Sequence, residues 1–220
     1  MIVLSEIEMT TIKFFTFNPF SENTYIVFDE NKETIIFDPG CYTVNEQKIL
    51  KKYIDDNGLQ VKRLINTHCH LDHIFGNTFI EETYKVTMEC HRNEIPVLAR
   101  APIAGDMFGV PTPVQPTPSV FIEDDAEIEV GSMHFKAILA PGHSPGSLCF
   151  YNEKEKYVIG GDVLFFGSIG RTDLPGGSHK QLIESILTRL MILPEDVKVH
   201  SGHGQPTTIG YEKYNNPFIK

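Results

Sequence analysis

The sequence predicts an α+β fold in which two mixed β-sheets pack face to face and helices cover both outer faces. Two observations lead to this prediction. Short strand-like stretches separated by turn residues open each half of the chain, and segments of helical periodicity follow them. Because a sheet must bury its apolar face against another layer, two central sheets with helices outside them satisfy this order.

In the first half, apolar and β-branched stretches bounded by Asn, Pro and Gly predict strands. These strands are Thr11–Phe17, Thr24–Asp29 and Thr34–Asp38. Apolar residues at helical spacing then predict a helix over Asn45–Asp56, followed by a strand over Val61–Asn66. The next predicted elements are a helix over Ile74–Tyr84, a strand over Lys85–Glu89 and a helix over Asn93–Arg100 that Pro96 interrupts.

The segment Ala101–Ser119 breaks this pattern, because it contains five prolines and two glycines. A long stretch without regular structure inside a compact domain is typical of an active-site cover, a connection between half-domains or a misread element. A plain surface linker is a fourth interpretation. The residues alone leave all four open.

The second half repeats the order of strands before helix. Its predicted strands are Ala126–Val130, Met133–Leu139, Leu148–Asn152, Lys156–Ile159 and Val197–His200. One helix is predicted from an apolar stripe formed by Leu182, Ile183, Ile186, Leu187 and Leu190. Ser178 and Gln181 have the spacing of a capping box, and Pro194 ends the helix.

Length and composition indicate one globular domain over residues 1–220, with 41% hydrophobic and 22% charged residues. The net charge of −10 disfavours nucleic acid as a partner, since proteins that bind phosphate backbones usually carry clustered Lys and Arg. No segment is long enough to span a bilayer, so no membrane partner is expected. Met1–Thr10 lacks the features of a signal peptide, and four separated cysteines without a CxxC favour reduced thiols and a cytoplasmic location.

Thr-His-Cys-His-Leu-Asp-His, residues 67–73, places four potential metal ligands in six positions directly after an apolar strand: His68, His70, Asp72 and His73. Alternate residues of an extended segment point to one side, so both of the first two histidines face one way and Cys69 faces the other. A following turn would bring the last two ligands inward as a helix begins. The competing interpretation is a solvated, histidine-rich turn.

Three later sites share one pattern, in which an apolar strand ends in a turn with glycine and then presents one ligand-type side chain. The turns are Pro141-Gly142-His143, Gly160-Gly161-Asp162 and Ser201-Gly202-His203. Because ligand sites in layered α/β proteins gather at strand ends, all four segments are expected to converge. Seven ligands exceed the four of a tetrahedral zinc ion and predict two divalent metal ions. Imidazole and carboxylate favour Zn, with Fe or Mn left open.

The HxHxDH motif at His68–His73, followed by a single His, Asp and His at suitable intervals, resembles the metallo-β-lactamase superfamily over nearly the whole chain. This resemblance implies an αββα sandwich. It also implies that His68, His70 and His143 hold a first metal and that Asp72, His73 and His203 hold a second, with Asp162 bridging them. Asp38 would support the metal loop through hydrogen bonds, or would simply form a turn.

Within that superfamily, the stretches Pro141–Ser147 and Gly161–Phe165 resemble the glyoxalase II group, which hydrolyses hydroxyacylglutathione thioesters. The closing Gly210–Glu212 and Asn216–Phe218 resemble its short bacterial members. Long members carry an additional C-terminal helical domain that helps to bind glutathione, and no such domain is expected here. Arg171 has two interpretations, a contact to a substrate carboxylate or an ion pair with Asp173.

These features predict hydrolysis of a small-molecule thioester by a monomer, with a dimer left open. Two ions bridged by Asp162 would share a water and lower its pKa, and the resulting hydroxide would attack the carbonyl. Asp72 and Asp162 are the candidate catalytic residues. The Gly-Arg-Thr-Asp stretch at 170–173 also resembles persulfide dioxygenases, which implies an alternative with one iron on His68, His143 and Asp162.

A non-enzymatic metal-binding scaffold is a further alternative, and fold and metals alone leave a β-lactam or lactone substrate open. Four other histidines are set aside from the site. His134 is expected on the surface, His91 and His179 at the start of helices, and His200 in a packing or solvent role.

Overall fold

The computed structural model describes residues 10–219, and two six-stranded mixed sheets form its centre. The first sheet follows chain order from edge to edge: β1 (Thr11–Phe17), β2 (Glu22–Phe28), β3 (Glu33–Phe37), β4 (Gln60–Ile65), β5 (Met88–Cys90) and β6 (Val120–Phe121). Its first three strands are antiparallel, and β3 to β6 are parallel. The prediction about a signal peptide in Met1–Thr10 lies, apart from Thr10, outside the described residues.

The second sheet has the spatial order β14-β13-β10-β9-β8-β7. Its strands are β7 (Glu127–Val130), β8 (Met133–Leu139), β9 (Leu148–Asn152), β10 (Tyr157–Gly161), β13 (Lys198–Ser201) and β14 (Thr207–Thr208). The strands β7 to β10 form an antiparallel meander, and β13 joins β10 in parallel. A separate hairpin consists of β11 (Leu164–Phe165) and β12 (Ser168–Ile169).

Seven α-helices accompany the sheets in the described residues. They are α1 (Val44–Asp56), α2 (Leu71–Ile74), α3 (Asn77–Tyr84), α4 (Ile95–Leu98), α5 (Ala101–Phe108), α6 (His179–Ser185) and α7 (Ile209–Asn215). A capping box between Thr43 and Glu46 starts α1, and the Ser178 hydroxyl accepts from the Gln181 amide to start α6. A π-helical turn, Ile186–Leu190, extends α6.

Three apolar layers hold these elements together. Tyr25, Val27, Ile35 and Phe37 of the first sheet pack against residues of the second, including Phe135 and Phe150. Ile26 and Ile36 point the other way, into a layer under the first-half helices, and a third layer lies between the second sheet and α6. The alternation along β2 and β3 therefore fills two layers, because both faces of the strands are covered. This arrangement confirms the predicted sandwich.

Of the interpretations left open for residues 101–119, a misread element is correct for the first part of the segment, and two predicted helices differ from the observed ones. Ala101–Phe108 is a helix, because Pro102 sits in its first turn, where no amide donor is needed, and Gly109 adopts a left-handed conformation after its end. Pro96 likewise lies in the first turn of α4 and does not interrupt a longer helix. The predicted helix over Ile74–Tyr84 is two helices separated at Gly76, whose lack of a side chain allows contact with Cys41 and Pro39.

The second half contains elements that the sequence did not predict, namely α7, β14 and the β11–β12 hairpin. These strands are only two residues long, too short to show alternation. Of the predicted stripe on α6, Leu182, Ile186 and Leu190 are buried, whereas Leu187 is exposed. Within residues 10–219, no helix has both the length and the apolar character needed to cross a membrane. All four cysteines lie in this part of the chain, and all are free and buried.

Candidate metal centre

All seven predicted ligand side chains converge at one end of the two sheets. The chain leaving β4 carries His68 and His70, and α2 begins immediately afterwards and carries Asp72 and His73. The other three ligands follow strands of the second sheet: His143 after β8, Asp162 directly after β10 and His203 after β13. An isolated bridge between Glu22 and His203 ties the last of these turns to the first sheet.

Three histidines form one end of the cluster, which we call the three-histidine end: His68, His70 and His143. The His70 Nδ1 atom lies 2.8 Å from His143 Nε2, and His143 Nε2 lies 3.2 Å from His68 Nε2. Burial, and then the neighbouring His143, lowers the pKa of His70 to about 3. Burial also lowers the pKa of His68 and His143. The three rings are therefore neutral at physiological pH, which is the form that coordinates metal.

Asp72, His73 and His203 form the other end, which we call the mixed end. Asp72 Oδ2 lies 3.2 Å from His203 Nε2 and 3.7 Å from His73 Nε2. Burial opposes charge on both histidines, but Asp162 and Asp72 outweigh it and raise the pKa of His73, and that of His203 to about 9. The two carboxylates therefore favour positive charge at this end of the cluster.

Asp162 lies between the two ends, in the position that the resemblance assigns to a bridging ligand. Its Oδ1 atom is 3.5 Å from His73 Nε2, and its Oδ2 atom is 3.4 Å from His203 Nε2 and 3.6 Å from His143 Nε2. Although burial opposes its charge, the facing histidines, His73 first, hold the pKa of this carboxyl well below its usual range. One carboxylate thus faces ligands from both ends.

Hydrogen bonds at Nδ1 orient four rings so that each Nε2 atom faces the centre. His143 Nδ1 donates to the Arg171 carbonyl oxygen at 2.7 Å, and His203 Nδ1 donates to that of Ser21 at 3.2 Å. His73 Nδ1 donates to Asp38 Oδ2 at 3.1 Å. His68 Nδ1 donates to Thr67 Oγ1, which in turn donates to Asp38 Oδ2.

This inward arrangement fits metal ions. His73 Nε2 and Asp162 Oδ1 are buried and have no hydrogen-bond partner within residues 10–219. Each end also brings three ligand atoms within 4.8 Å of one another. Lone pairs and carboxylate oxygens that face each other at such distances need a cation between them, because a buried acceptor without a partner is unfavourable. Imidazole and carboxylate without thiolate suit Zn, Fe or Mn.

Asp38 holds the His68–His73 segment from behind, as the resemblance implied. Its Oδ1 atom accepts from the Thr67 amide at 2.7 Å, and its Oδ2 atom accepts from the Thr67 hydroxyl at 2.6 Å in addition to His73. The carboxylate is buried, and its residue has φ of 48°, a left-handed conformation that Asp tolerates. Partners behind metal-binding histidines fix ring orientation and raise ligand basicity.

Glu94 is a second buried carboxylate at the site, and the sequence did not predict it. Its Oε2 atom accepts from the Cys69 amide at 2.7 Å, while Oε1 accepts from the Ser144 hydroxyl and the Gly146 amide at 2.6 Å each. Burial raises the pKa of this carboxyl, and the three hydrogen bonds oppose that rise. Glu94 therefore joins the segment that carries His68 and His70 to the turn that carries His143.

Glycine is required in the three turns of the second sheet because the backbone passes very close to other groups. A Cβ atom at Gly202 would overlap Asp162 Oδ1 and would lie 2.8 Å from His73 Cε1. A Cβ at Gly161 would overlap the Thr67 hydroxyl, and one at Gly142 would overlap the backbone of Leu182. These overlaps explain the glycine that precedes each of the three ligands.

The cluster forms the floor of an open cavity of about 960 Å³. His70, Asp72, His143, Asp162 and His203 line the floor, and the walls are mostly apolar. Arg171 lies at the exposed rim, where Nε and Nη2 donate to the two Asp173 carboxylate oxygens at 2.7 Å each. The ion pair between Arg171 and Asp173, one of the two interpretations, is therefore present. In addition, the backbone carbonyl of Arg171 orients His143.

The remaining histidines lie outside the cluster. His134 is exposed and faces Glu127 and Glu129, whereas His91 and His179 begin helical turns as predicted. His200 is buried between the rings of Tyr25 and Tyr157, which agrees with the predicted packing role. Cys69 is buried beside the cavity and is not among the grouped ligand atoms.

Two relatives with curated names match most of the chain. One is a probable metallo-hydrolase, YqgX, of Bacillus subtilis (strain 168), 37% identical over 203 residues that cover 91% of this chain and 93% of the relative. The other is the hydroxyacylglutathione hydrolase GloC of Haemophilus influenzae, 35% identical over 202 residues, with 91% and 93% covered.

Two crystal structures are similar in fold over nearly their whole length. The B3 metallo-β-lactamase BLEG-1 has a TM-score of 0.88 at 34% identity, covering 96% of this chain and 100% of that one. TTHA1623 in a di-iron-bound form has a TM-score of 0.85 at 34% identity, covering 94% and 99%. The family model of the metallo-β-lactamase superfamily matches residues 17–203, a range that contains every ligand of the cluster. The chain belongs to the metallo-β-lactamase superfamily, whose members bind divalent metals through such His and Asp sites.

Proposed function

We propose that this chain is a metal-dependent hydrolase of small-molecule thioesters such as hydroxyacylglutathione. The observation that carries the proposal is the convergence of seven ligand side chains, with inward-facing lone pairs, on the floor of an open cavity. The three-histidine end and the mixed end would each hold one ion, and Asp162 would contact both. Zinc is the first choice for this ligand set. Iron is supported by the di-iron form of TTHA1623, and manganese fits the same ligand chemistry.

The choice of a thioester rests on similarity to GloC, whose name states hydrolysis of hydroxyacylglutathione. The resemblance of residues 141–147 and 161–165 to the glyoxalase II group points the same way. BLEG-1 is named as a β-lactamase, so a β-lactam is the competing substrate class. Both substrates contain a carbonyl carbon that water attacks, and the geometry of the floor suits either.

Divalent ions in this site would polarise the carbonyl and make a nearby water more acidic. The chain itself would orient the ligands through Asp38 and Glu94 and would exclude bulk water with the apolar walls. Asp72 faces the cavity with its Oδ2 atom beside His203 and His73, so this carboxylate would lie close to the attacking water and could accept its proton. Asp162 would hold the rings of His73, His143 and His203 in fixed positions relative to one another.

Arg171 would bind the substrate at the rim. Its Nε and Nη2 atoms are engaged with Asp173, while Nη1 makes no hydrogen bond within residues 10–219. A guanidinium with a free donor suits a carboxylate or amide oxygen of the thiol carrier. We expect a monomer, because residues 10–219 of one copy supply all seven candidate ligands.

The first experiment is steady-state hydrolysis of S-D-lactoylglutathione by zinc-reconstituted protein of measured metal content. The variants His68→Ala and Asp162→Ala remove one ligand of the three-histidine end and the shared carboxylate. His134→Ala is the matched control, because this histidine is exposed and faces only Glu127 and Glu129. We expect hydrolysis that both ligand variants lose by at least about 100-fold and that the control retains.

Absence of hydrolysis in fully metal-loaded protein would exclude the glyoxalase II-like activity. Benzylpenicillin in the same assay tests the β-lactam alternative. Oxygen uptake with glutathione persulfide by iron-loaded protein tests the dioxygenase alternative, which needs only His68, His143 and Asp162. Metal-loaded protein that is inert toward all three substrates would favour a non-enzymatic metal-binding role.

A further inference from the structure

The cavity has an apolar wall that hydrolysis of a short hydroxyacyl group does not require. Helix α5 lines the cavity with Ile103, Met107 and Phe108, and these side chains are 62%, 80% and 48% exposed. Large apolar side chains grouped on one exposed surface usually mark a binding site, because they are unfavourable in water. This wall is continuous with the floor that carries the ligands.

Apolar residues outside α5 line the cavity as well. Phe165, Ile169 and Leu174 line it, and Phe165 stands edge-on to the ring of His203 with the centroids 6.2 Å apart. Phe20 also lines the cavity, and its ring packs edge-on against that of Phe108, with the centroids 5.5 Å apart. An extended apolar group that starts at the ligand cluster would therefore contact aromatic and aliphatic side chains from α5 and from residues 165–174.

The charges around the cavity are few and lie at its edges. Apart from the ligand cluster, its charged lining residues are Arg100 and Arg171, and both are exposed. Arg100 forms no ion pair with any residue from 10 to 219. A tripeptide carrier with an ammonium group and several amides would leave most of these polar groups without partners if it were bound between the apolar walls. The carrier therefore fits beside the two arginines better than between the apolar walls.

We propose that the apolar walls of this open cavity bind an apolar acyl chain, so that the preferred substrates are thioesters of medium-length or longer alkyl or aryl acids. The inference rests on the proposed thioester hydrolysis. The carbonyl would lie at the ligand cluster, the chain would run along Ile103 and Met107 of α5, and the thiol carrier would remain near the two arginines. The volume of about 960 Å³ is at the upper end of the range for sites that enclose a drug-sized ligand.

A series of S-acyl-N-acetylcysteamine thioesters tests this assignment, because the uncharged carrier is constant while the acyl group grows from acetyl to decanoyl. We expect kcat/KM to rise by about two- to fourfold for each CH₂ group until the cavity is filled, as burial of a methylene predicts. The variants Ile103→Ser and Met107→Ser should each lower the ratio of decanoyl to acetyl kcat/KM by about tenfold. Ile192→Ser is the matched control, since Ile192 is 72% exposed but lies outside this cavity.

Binding of sodium alkanoates of the same lengths, measured by isothermal titration calorimetry, gives a second readout that needs no turnover. We expect tighter binding with length and loss of this trend in the Ile103→Ser and Met107→Ser double variant. Hydrolysis without a dependence on chain length, together with alkanoate binding that does not depend on length, would overturn the acyl-chain site and leave thioester hydrolysis intact. Length-dependent alkanoate binding without hydrolysis of any thioester would support the apolar site and reject the reaction. If alkanoate binding does not depend on length and no thioester is hydrolysed, both the acyl-chain site and the thioester hydrolysis are overturned.

Discussion

The first sheet delivers four candidate ligands on one continuous segment, His68–His73, whereas the second sheet delivers one ligand at each of three separate strand ends. Buried carboxylates hold the continuous segment: Asp38 accepts from Thr67 and His73, and Glu94 accepts from Cys69. The single-ligand turns rely instead on glycine, which lets their backbones approach other parts of the site. The first region should therefore be sensitive to the loss of an acceptor, and the second to an added methyl group.

The largest effect is expected from Gly202→Ala, in the turn before His203. The φ of Gly202 lies outside the left-handed region, so alanine is allowed by the backbone and only the new Cβ matters. That atom would overlap Asp162 Oδ1 and crowd His73, which displaces ligands of the mixed end. We expect a loss of at least about 100-fold in kcat/KM, since misplacement by about 1 Å has effects of this size. Metal analysis should show less than the full complement.

Gly204→Ala is the control for this substitution, because it lies in the same turn and a Cβ there meets open space. Its φ of 71° makes alanine unfavourable by about 1 kcal/mol, so the control should lose some stability but keep its metals. If Gly202→Ala retains full metal content and activity, the close approach of this turn to Asp162 and His73 is not the reason that the turn contains glycine.

The second prediction concerns Asp38→Asn in the support of the continuous segment. Asparagine keeps the size of the side chain and tolerates the left-handed backbone, so the fold should survive. Its amide group replaces one acceptor oxygen with a donor, which faces either the Thr67 amide or the donors of Thr67 and His73. We expect metal affinity to fall by about 10- to 100-fold, the usual range for such partners, as measured by competition with a chromophoric chelator.

Asp29→Asn provides the comparison for this measurement. Asp29 is also buried and accepts from two backbone amides, those of Glu33 and Ser132, but it contacts none of the ligand residues. This variant should lose stability without losing metal affinity. Equal loss of affinity in both variants would mean that general destabilisation, and not orientation of His73, explains the effect.

A smaller effect is expected from Glu94→Gln. The glutamine carbonyl can still accept from Ser144 and Gly146, but its amide would then face the Cys69 amide, so one hydrogen bond is lost. We expect the free energy of unfolding, measured with urea, to fall by about 1 to 3 kcal/mol. Metal affinity should fall by about tenfold or less. Loosening should appear at His68 and His70, and NMR signals of the histidine rings should report it. Unchanged signals there would show that Glu94 supports only the His143 turn.

The difference between the two regions also explains what the sequence could predict. The strand Met133–Leu139 was predicted with its observed bounds because its residues alternate between buried and exposed positions. The convergence of the seven candidate ligands was predictable because each follows a strand, either in a dense motif or after glycine. The role of Glu94 was not predictable, because its partners Cys69 and Ser144 are 25 and 50 positions away in the sequence and no local pattern connects them.

The wall of the cavity was left undecided for a different reason. Residues 101–119 were interpreted from their proline and glycine content, and four roles were left open. Pro102 near the start and Gly109 after the end are signals of a short helix, and they define α5 correctly. The part that follows, residues 109–119, has no helix or strand. Whether an apolar helix face packs into a core or lines a cavity depends on neighbours distant in sequence, which periodicity does not reveal.

The last prediction uses His200, a histidine of the second sheet that is not a ligand. Burial, and then the charge of Lys198, lowers its pKa from 6.5 to about 4. Between these values the unfolded chain binds a proton that the folded chain does not, so the free energy of unfolding falls as the pH falls. The stability that the neutral His200 ring contributes is fully present above pH 6.5, and it declines by about 1.4 kcal/mol per pH unit as the pH falls toward 4.

The variant His200→Phe removes this titration and keeps an aromatic ring between Tyr25 and Tyr157. Urea unfolding of chelator-treated protein should therefore show that the variant loses less stability than the natural sequence as the pH falls, and subtraction of the two curves cancels the ligand histidines. Activity of the metal-loaded variant at neutral pH should be unchanged, because His200 faces the layer between the sheets and is absent from the cavity lining. Parallel stability curves would mean that the pKa of His200 is the same in the folded and the unfolded chain. Loss of metal would instead mean that the ring supports the His203 turn, which would make strand packing, in addition to glycine, a requirement for positioning ligands of the second sheet.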